Sequence, residues 1–231
     1  GTRVLPFADF IGRDDAFPVK GHAIKSKLHS IPDCQSIIKK AAVRAMSERY
    51  GLLRFPETGT KYQIEFFILN DEATIMIDTS GTPLHKRGYR KESNGAPIRE
   101  TLAAAIAATS RPRENVLFWD PMCGSGTIAI EAARLMKNIA PGKSRAFSAE
   151  EYPTIPAPLW RSAREEAIAG EHATDFEVYA SDIDTAAVAL TEKNVSLAGV
   201  SDVVKVFSAD ARKISAEGRR GTIVTNPPYG E

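Results

Sequence analysis

The apolar positions of this chain switch repeatedly between a period of two and a period near 3.6, the signatures of strand and helix. Residues 1–18 show neither and carry Pro6, Gly12, Pro18 and the pair Asp14-Asp15, so they read as irregular. Val19–Lys27 reads as a strand. From Asp33 to Tyr50 the apolar residues Ile38, Ala41, Ala42, Ala45 and Met46 fall on one helical face, with Lys40 and Arg44 opposite. Asp33 can cap that helix and Gly51 can end it. Lys61–Leu69 and Glu72–Asp78 then alternate as strands around Asn70-Asp71, a hairpin signal. Strand, helix and hairpin together predict a small α+β unit.

The connector 79–96 is rich in Gly and polar residues and holds the run His85-Lys86-Arg87-Gly88-Tyr89-Arg90-Lys91. After Pro97, the Ala-rich stretch Ile98–Ser110 predicts a helix, because Pro suits a helix start and Ala has the highest propensity. Four β-like runs follow: Val116–Trp119, Glu177–Ala180, Val203–Phe207 and Thr222–Thr225. Helical patterns over 127–137 and 185–198 separate the first three, which predicts a parallel sheet with crossover helices, an α/β fold. A proline-containing insertion, Asn138–Pro158, interrupts the pattern.

Composition narrows the class. With 43% hydrophobic and 26% charged residues over 231 positions, the chain is that of a globular protein of one large or two small domains. No run approaches about 18 apolar residues, so no membrane span is predicted, nor does the amino end read as a secretion signal. Two isolated cysteines, Cys34 and Cys123, cannot form a paired-cysteine metal site, and a reduced, cytoplasmic setting is the simpler expectation. Residues 1–99 carry 16 Lys and Arg against 11 Asp and Glu; residues 100–231 carry 14 against 18. The first part is suited to phosphate, the second to a cationic or neutral ligand, although scattered solvated charge would give the same counts.

The candidate chemistry begins at Asp120-Pro121-Met122-Cys123-Gly124-Ser125-Gly126-Thr127, a strand end, a glycine turn and a helix start. Gly124 and Gly126 allow positive φ and close backbone approach, and the helix start presents free N–H groups. Glycine spacing alone leaves a nicotinamide cofactor open, since Ala129 is tolerated at the third position of that fingerprint. The acids separate the two: Asp120 would repel a pyrophosphate but suits the ammonium end of S-adenosylmethionine (SAM). Asp182, ending the second strand, could accept the ribose hydroxyls, and Asp210, ending the third, the adenine amine. Capping of the following helices is the competing role for these acids, as it is for Asp184. Cys123 lacks a nearby His or Lys in sequence to lower its pKa and reads as a small buried loop residue.

Asn226-Pro227-Pro228-Tyr229 supplies the second motif. An exocyclic base amine is a poor nucleophile because its lone pair is delocalised. The Asn226 side-chain carbonyl and the Pro227 backbone carbonyl could accept its two N–H groups, two prolines would stiffen the turn, and Tyr229 could stack on an extruded base. No strong general base is needed.

These strings, with Asp78-Thr79-Ser80-Gly81, Leu84–Arg90, Ala96–Ala104 and Ile139-Ala140-Pro141-Gly142, resemble the THUMP-domain 23S rRNA (guanine-N2-)-methyltransferases, a group also labelled N6-adenine-specific DNA methylases. The resemblance implies a THUMP RNA-binding module over 1–80, a basic linker over 81–96, and a class I, Rossmann-like methyltransferase sheet over 97–231. It implies Pro97, Glu100 and Thr101 beside the methionine end of SAM, although Arg99 and Glu100 could equally serve first-turn helix electrostatics. The cofactor set is then Pro97, Glu100, Thr101, Asp120, Pro121, Gly124, Gly126, Thr127, Asp182, Ile183, Asp210, Ala211 and Asn226. The catalytic set is Asn226, Pro227 and Tyr229. Lys39, Lys40, Arg44, Lys86, Arg87 and Arg90 are the candidate phosphate contacts on structured ribosomal RNA, the last three alternatively a solvated linker. The family pattern also carries a further amino-terminal segment and three more strands after the fourth, so the chain is expected to be a fragment ending on an exposed strand.

The leading expectation is a SAM-dependent guanine-N2 methyltransferase of large-subunit ribosomal RNA. An N6-adenine methyltransferase fits the Asn226–Tyr229 motif equally. A non-catalytic RNA-binding protein with a degenerate fold, and a nicotinamide oxidoreductase that leaves Asn226–Tyr229 without a role, are the remaining alternatives.

Overall fold

The computed structural model describes residue 2 and residues 5–90 and 97–228, and the chain divides into two compact units. The first comprises residues 1–82 and 146–160, the second 83–145 and 161–231.

In the first unit, β1 (Val19–Ile24) runs parallel to β2 (Gln63–Leu69) with Val19 opposite Ile64, and β3 (Glu72–Asp78) returns antiparallel, giving the order β1-β2-β3. Asn70 and Asp71 both adopt left-handed φ, 51° and 66°, as a two-residue hairpin turn demands. β1 stops before Lys27 because Lys25 turns to φ 48° and the Lys27 N–H is taken by the Asp71 carboxylate at 2.7 Å. Helix α1 (Ile31–Tyr50) buries Cys34, Ile38, Ala42 and Met46 at helical spacing. Its N-cap is Ser30, not Asp33: Pro32 fills the first turn, where its missing N–H costs nothing, and Asp33 lies inside that turn. Gly51 closes the helix at φ 72°.

The long insertion is not one loop. Residues 146–160 belong to the first unit, where Tyr152 stacks on Tyr62 with ring centroids 4.2 Å apart and donates its hydroxyl to the Asp78 carbonyl. The next helix, α4 (Ala157–Ala169), has no buried residue, which explains why no amphipathic period announces it.

In the second unit, α2 (Glu100–Thr109) precedes β4 (Leu117–Asp120), α3 (Thr127–Met136), β5 (Val178–Asp182), α5 (Thr185–Ala198), β6 (Val204–Ser208) and β7 (Gly221–Ile223). The four strands are all parallel, in the order β6-β5-β4-β7. Phe118, Val178 and Val204 share one sheet face and pack with Ile128, Ile130 and Phe176 in the core. α3 is nearly all buried, including its polar residues Glu131 and Arg134. The chain winds outward from β4 through β5 to β6, then returns to lay β7 on the other side of β4. That reversal leaves a crevice beyond the carboxyl ends of β4 and β7, where ligands of such sheets bind.

Candidate active site at the carboxyl ends of the parallel strands

A cavity of about 180 Å³ opens at this crevice, lined by Pro97, Asp120, Gly124, Thr127 and Asn226 among others. Pro121, Gly126, Glu100, Thr101, Asp182, Ile183, Asp210 and Ala211 are not in its walls. The two glycines of the turn serve different ends. At Gly124, φ is 54° and a Cβ would meet nothing within 4 Å, so the backbone there is bare towards open space. At Gly126, φ is 76° and a Cβ would lie 2.6 Å from the Thr191 methyl, so this glycine admits the close packing of α5. Helix α5 fixes the turn further: Thr191 donates to the Gly124 carbonyl and Asn194 to the Ser125 carbonyl, each at 2.9 Å.

Asp120 dominates the electrostatics. It is 2% exposed, accepts the Thr225 hydroxyl at 2.7 Å and the Met122 N–H at 3.4 Å, and among the described residues no basic side chain pairs with it. Burial pushes its pKa up to about 6, against the lowering effect of those two bonds, and the charge of Asp182 adds to the rise. A buried carboxylate with only neutral partners, on the wall of a cavity, fits a ligand with an ammonium group and rejects a phosphate. The residues present therefore fit the amino-acid end of SAM.

The other two strand-end acids differ. Asp182 accepts the Gly124 N–H at 2.9 Å and the Asp184 N–H at 3.0 Å, so it shapes the turn while remaining half-buried at its outer side. Asp184 caps α5 through the Ala186 N–H. Asp210, the expected acceptor for the adenine amine, already has a partner in the structure. Its two oxygens are held by Arg212 at 2.9 and 2.7 Å, it caps the short turn that begins at Ala211, and this pairing draws its pKa down to about 2. Ile183 stands 67% exposed beside Asp182. Cys123 is buried, its thiol pushed up to about 12 by desolvation, and is no nucleophile.

Half-buried Asn226 lines the cavity, and Pro227 is exposed. Tyr229 lies outside the described residues.

Glu100, expected beside the cofactor, is instead 3% exposed and paired with Arg90 at 3.0 Å. The helix α2 begins at Glu100, not Ile98, because the Ile98 carbonyl is bonded by Arg90 and Arg99 is extended. Arg90 and Arg87 are likewise not phosphate contacts. Arg87 is 8% exposed, lies 3.7 Å from Glu131 and donates to the Leu84 carbonyl. Between them Tyr89 donates to Glu131 at 2.8 Å, and Arg134 covers the Tyr89 ring. Desolvation raises the Glu131 pKa, and Tyr89, Arg87 and Arg134 oppose that rise. Among the described cations of the run, Lys86 alone is exposed.

In the first unit, Lys39 is also committed internally, to Glu57 at 2.6 Å and to the Phe17 carbonyl and ring. Lys40 and Arg44 line a surface groove on α1 and form no ion pair among the described residues. Sequence reasoning missed Thr225, Thr191, Asn194 and Glu131. For Glu131 a signal existed: a carboxylate amid Ile and Ala on every side of a helix has no solvated face to occupy.

Family models match both units: the THUMP domain over residues 1–78, and the RMKL-like methyltransferase domain over 87–231. The chain is 42% identical to the Bacillus subtilis protein named "Putative RNA methyltransferase YpsC", over all of this chain and 60% of that protein. It is 42% identical over 70% of its length to the "Ribosomal RNA large subunit methyltransferase K/L" of Psychromonas ingrahamii, of which it covers 22%. The solved structure titled "SMU.472, a putative methyltransferase complexed with SAH" superposes with a TM-score of 0.89 at 38% identity, covering all of this chain and 62% of that one. The chain thus spans less than two thirds of the length of each of these relatives. A parallel α/β sheet behind a THUMP domain, matched over 87–231 by the family model, makes this chain a member of the RMKL-like methyltransferase family.

Proposed function

We propose that this chain carries the cofactor site and the RNA-binding module of a cytoplasmic, SAM-dependent methyltransferase acting on the N2 amine of a guanine in large-subunit ribosomal RNA. The observation that carries the reading is one cavity shared by an uncompensated buried carboxylate, Asp120, a bare glycine backbone, Gly124, and the amide of Asn226. The first two suit the amino-acid end of SAM and the third suits a base amine.

Bound there, SAM supplies an electrophilic methyl group on a sulfonium. Asp120 would hold the ammonium, and Asp182, beyond the glycine turn, would accept the ribose hydroxyls. Asn226 and the Pro227 carbonyl would accept the two N–H groups of the target amine and so return density to its nitrogen. No side chain need remove a proton before attack, since the amine sheds it afterwards to water. Residues 1–80, with Lys40 and Arg44 exposed for phosphate, and Lys86 of the linker would bring RNA to the site.

The test is single-turnover methylation of ribosomal RNA by the intact protein, followed by nucleoside mass analysis. N2-methylguanosine is expected. N6-methyladenosine would overturn the substrate and retain the amine chemistry, and no methyl transfer would overturn the reading.

A further inference from the structure

Arg90, a half-buried cation of the second unit, makes three side-chain hydrogen bonds. One guanidinium nitrogen donates to the Ile98 carbonyl at 2.8 Å and to the Thr127 hydroxyl at 3.0 Å, and the other pairs with Glu100 at 3.0 Å. Ile98 and Thr127 both line the cavity. Ile98 belongs to the segment before α2, and Thr127 is the first residue of α3, directly after the glycine turn. Glu100 anchors the guanidinium from the first turn of α2 and is itself buried. The Thr127 hydroxyl is in turn 3.0 Å from that of Ser125, within the turn. With a side chain only 11% exposed, Arg90 has no solvent role.

A planar guanidinium can satisfy these three acceptors at once because its N–H groups diverge in a fixed fork, which an ammonium cannot match. The tie runs between two walls that share no strand: residues 97–99 belong to no strand, Ile98 packs its side chain against the core, and the Arg90 bond to its carbonyl fixes the backbone of that segment to the start of α3. The wall it holds lines the same cavity as Asp120, a lining to which Asp182 and Ile183 do not contribute.

We propose that Arg90 is a positioning residue for cofactor binding, clamping the Pro97-Ile98 segment to the start of α3 so that the cavity keeps the shape of the amino-acid end of SAM. This rests on the SAM reading above. It separates Arg90 from a merely structural ion pair, because its loss should fall on one end of the ligand only.

Two ligands distinguish the cases in the intact protein: S-adenosylhomocysteine, with the amino-acid end, and 5′-methylthioadenosine, without it. Arg90→Lys keeps the charge opposite Glu100 but cannot hold all three acceptors, and Arg90→Gln removes the charge. For Arg90→Lys, calorimetry should give S-adenosylhomocysteine affinity weakened about tenfold or more, with methylthioadenosine affinity within about twofold of the unaltered protein, since one lost tenfold is the effect of a single well-placed contact. Arg90→Gln should do the same more severely. Should Arg90→Gln not fold, Arg90→Lys decides alone. Equal weakening of both ligands, or no weakening of either, would overturn the positioning role. Failure of the unaltered protein to bind S-adenosylhomocysteine would instead overturn the SAM reading, and this inference with it.

Discussion

Replacing Asp120 by Asn should make the protein more stable and worse at holding its ligand, and pH should show why. The Asp120 carboxyl titrates at about 6 in the fold against 3.8 for the free side chain, chiefly because burial disfavours its charge. A raised folded pKa means that the stabilisation from protonation is fully present below pH 3.8 and is lost as pH rises through 6. Above that, carrying the charge costs about 3 kcal/mol, at 1.36 kcal/mol for each unit. Asp120→Asn removes the charge and keeps a carbonyl for the Thr225 hydroxyl. Its amide N–H groups gain no assured partner, at a cost of about 1 kcal/mol or more, so the net gain at pH 7.5 should be about 1–2 kcal/mol. In denaturant titrations the gain should shrink below pH 6 and vanish near pH 4, where the unaltered protein is itself neutral at this site. Ligand binding should move oppositely. S-adenosylhomocysteine affinity should fall about tenfold or more at pH 7.5, the effect of losing one charge-assisted contact. For the unaltered protein the affinity should decline as pH drops through 6, with proton release on binding detectable in buffers of different ionisation enthalpy. In Asp120→Asn that pH dependence should be flat. Equal stability of the two proteins at pH 7.5, with affinity insensitive to pH in both, would refute the argument.

Asn226→Ala should reduce single-turnover methylation about 100-fold or more, the usual effect of losing one preorganised polar contact, with S-adenosylhomocysteine affinity nearly unchanged; near-normal turnover would remove Asn226 from the chemistry. Lys40→Glu together with Arg44→Glu should weaken RNA binding and lower the slope of log affinity against log salt by about 2, measured by fluorescence anisotropy. Arg87→Gln should leave that slope unchanged, because Arg87 is buried against Glu131. Tyr89→Phe should cost about 1–3 kcal/mol in chemical denaturation, since Glu131 then loses its shortest hydrogen bond in a buried site.

The framework was legible because its signals are local. The hairpin at Asn70-Asp71, the stop at Gly51, and the strand–turn–helix at Asp120–Thr127 each follow from one or two residues with strong backbone preferences. α4 was illegible because it buries nothing, and the assignment of residues 146–160 to the first unit rests on a stack between Tyr62 and Tyr152, 90 positions apart. The basic run Lys86–Arg90 misled for a related reason. Charge in a sequence reads as solvated charge, yet Arg87 and Arg90 face the carboxylates of Glu131 and Glu100, whose spacing of 44 and 10 residues gives no local cue.

The three strand-end acids looked alike in sequence, and what separates them is their partners. Asp210 is neutralised by Arg212, Asp182 is spent largely on the backbone of the glycine turn, and Asp120 alone is buried without a cation. The negative potential of the crevice is therefore concentrated at one wall of the cavity and not spread along the sheet edge. A pyrophosphate seated on the glycine turn would face that charge in a medium of low dielectric, where repulsion is several-fold stronger than in water. A ligand with an ammonium group would meet the opposite sign and relieve a cost of about 3 kcal/mol that the unliganded fold already bears. The glycine spacing that leaves two cofactor classes open is thus decided by a carboxylate and by the absence, among the described residues, of any basic group to neutralise it.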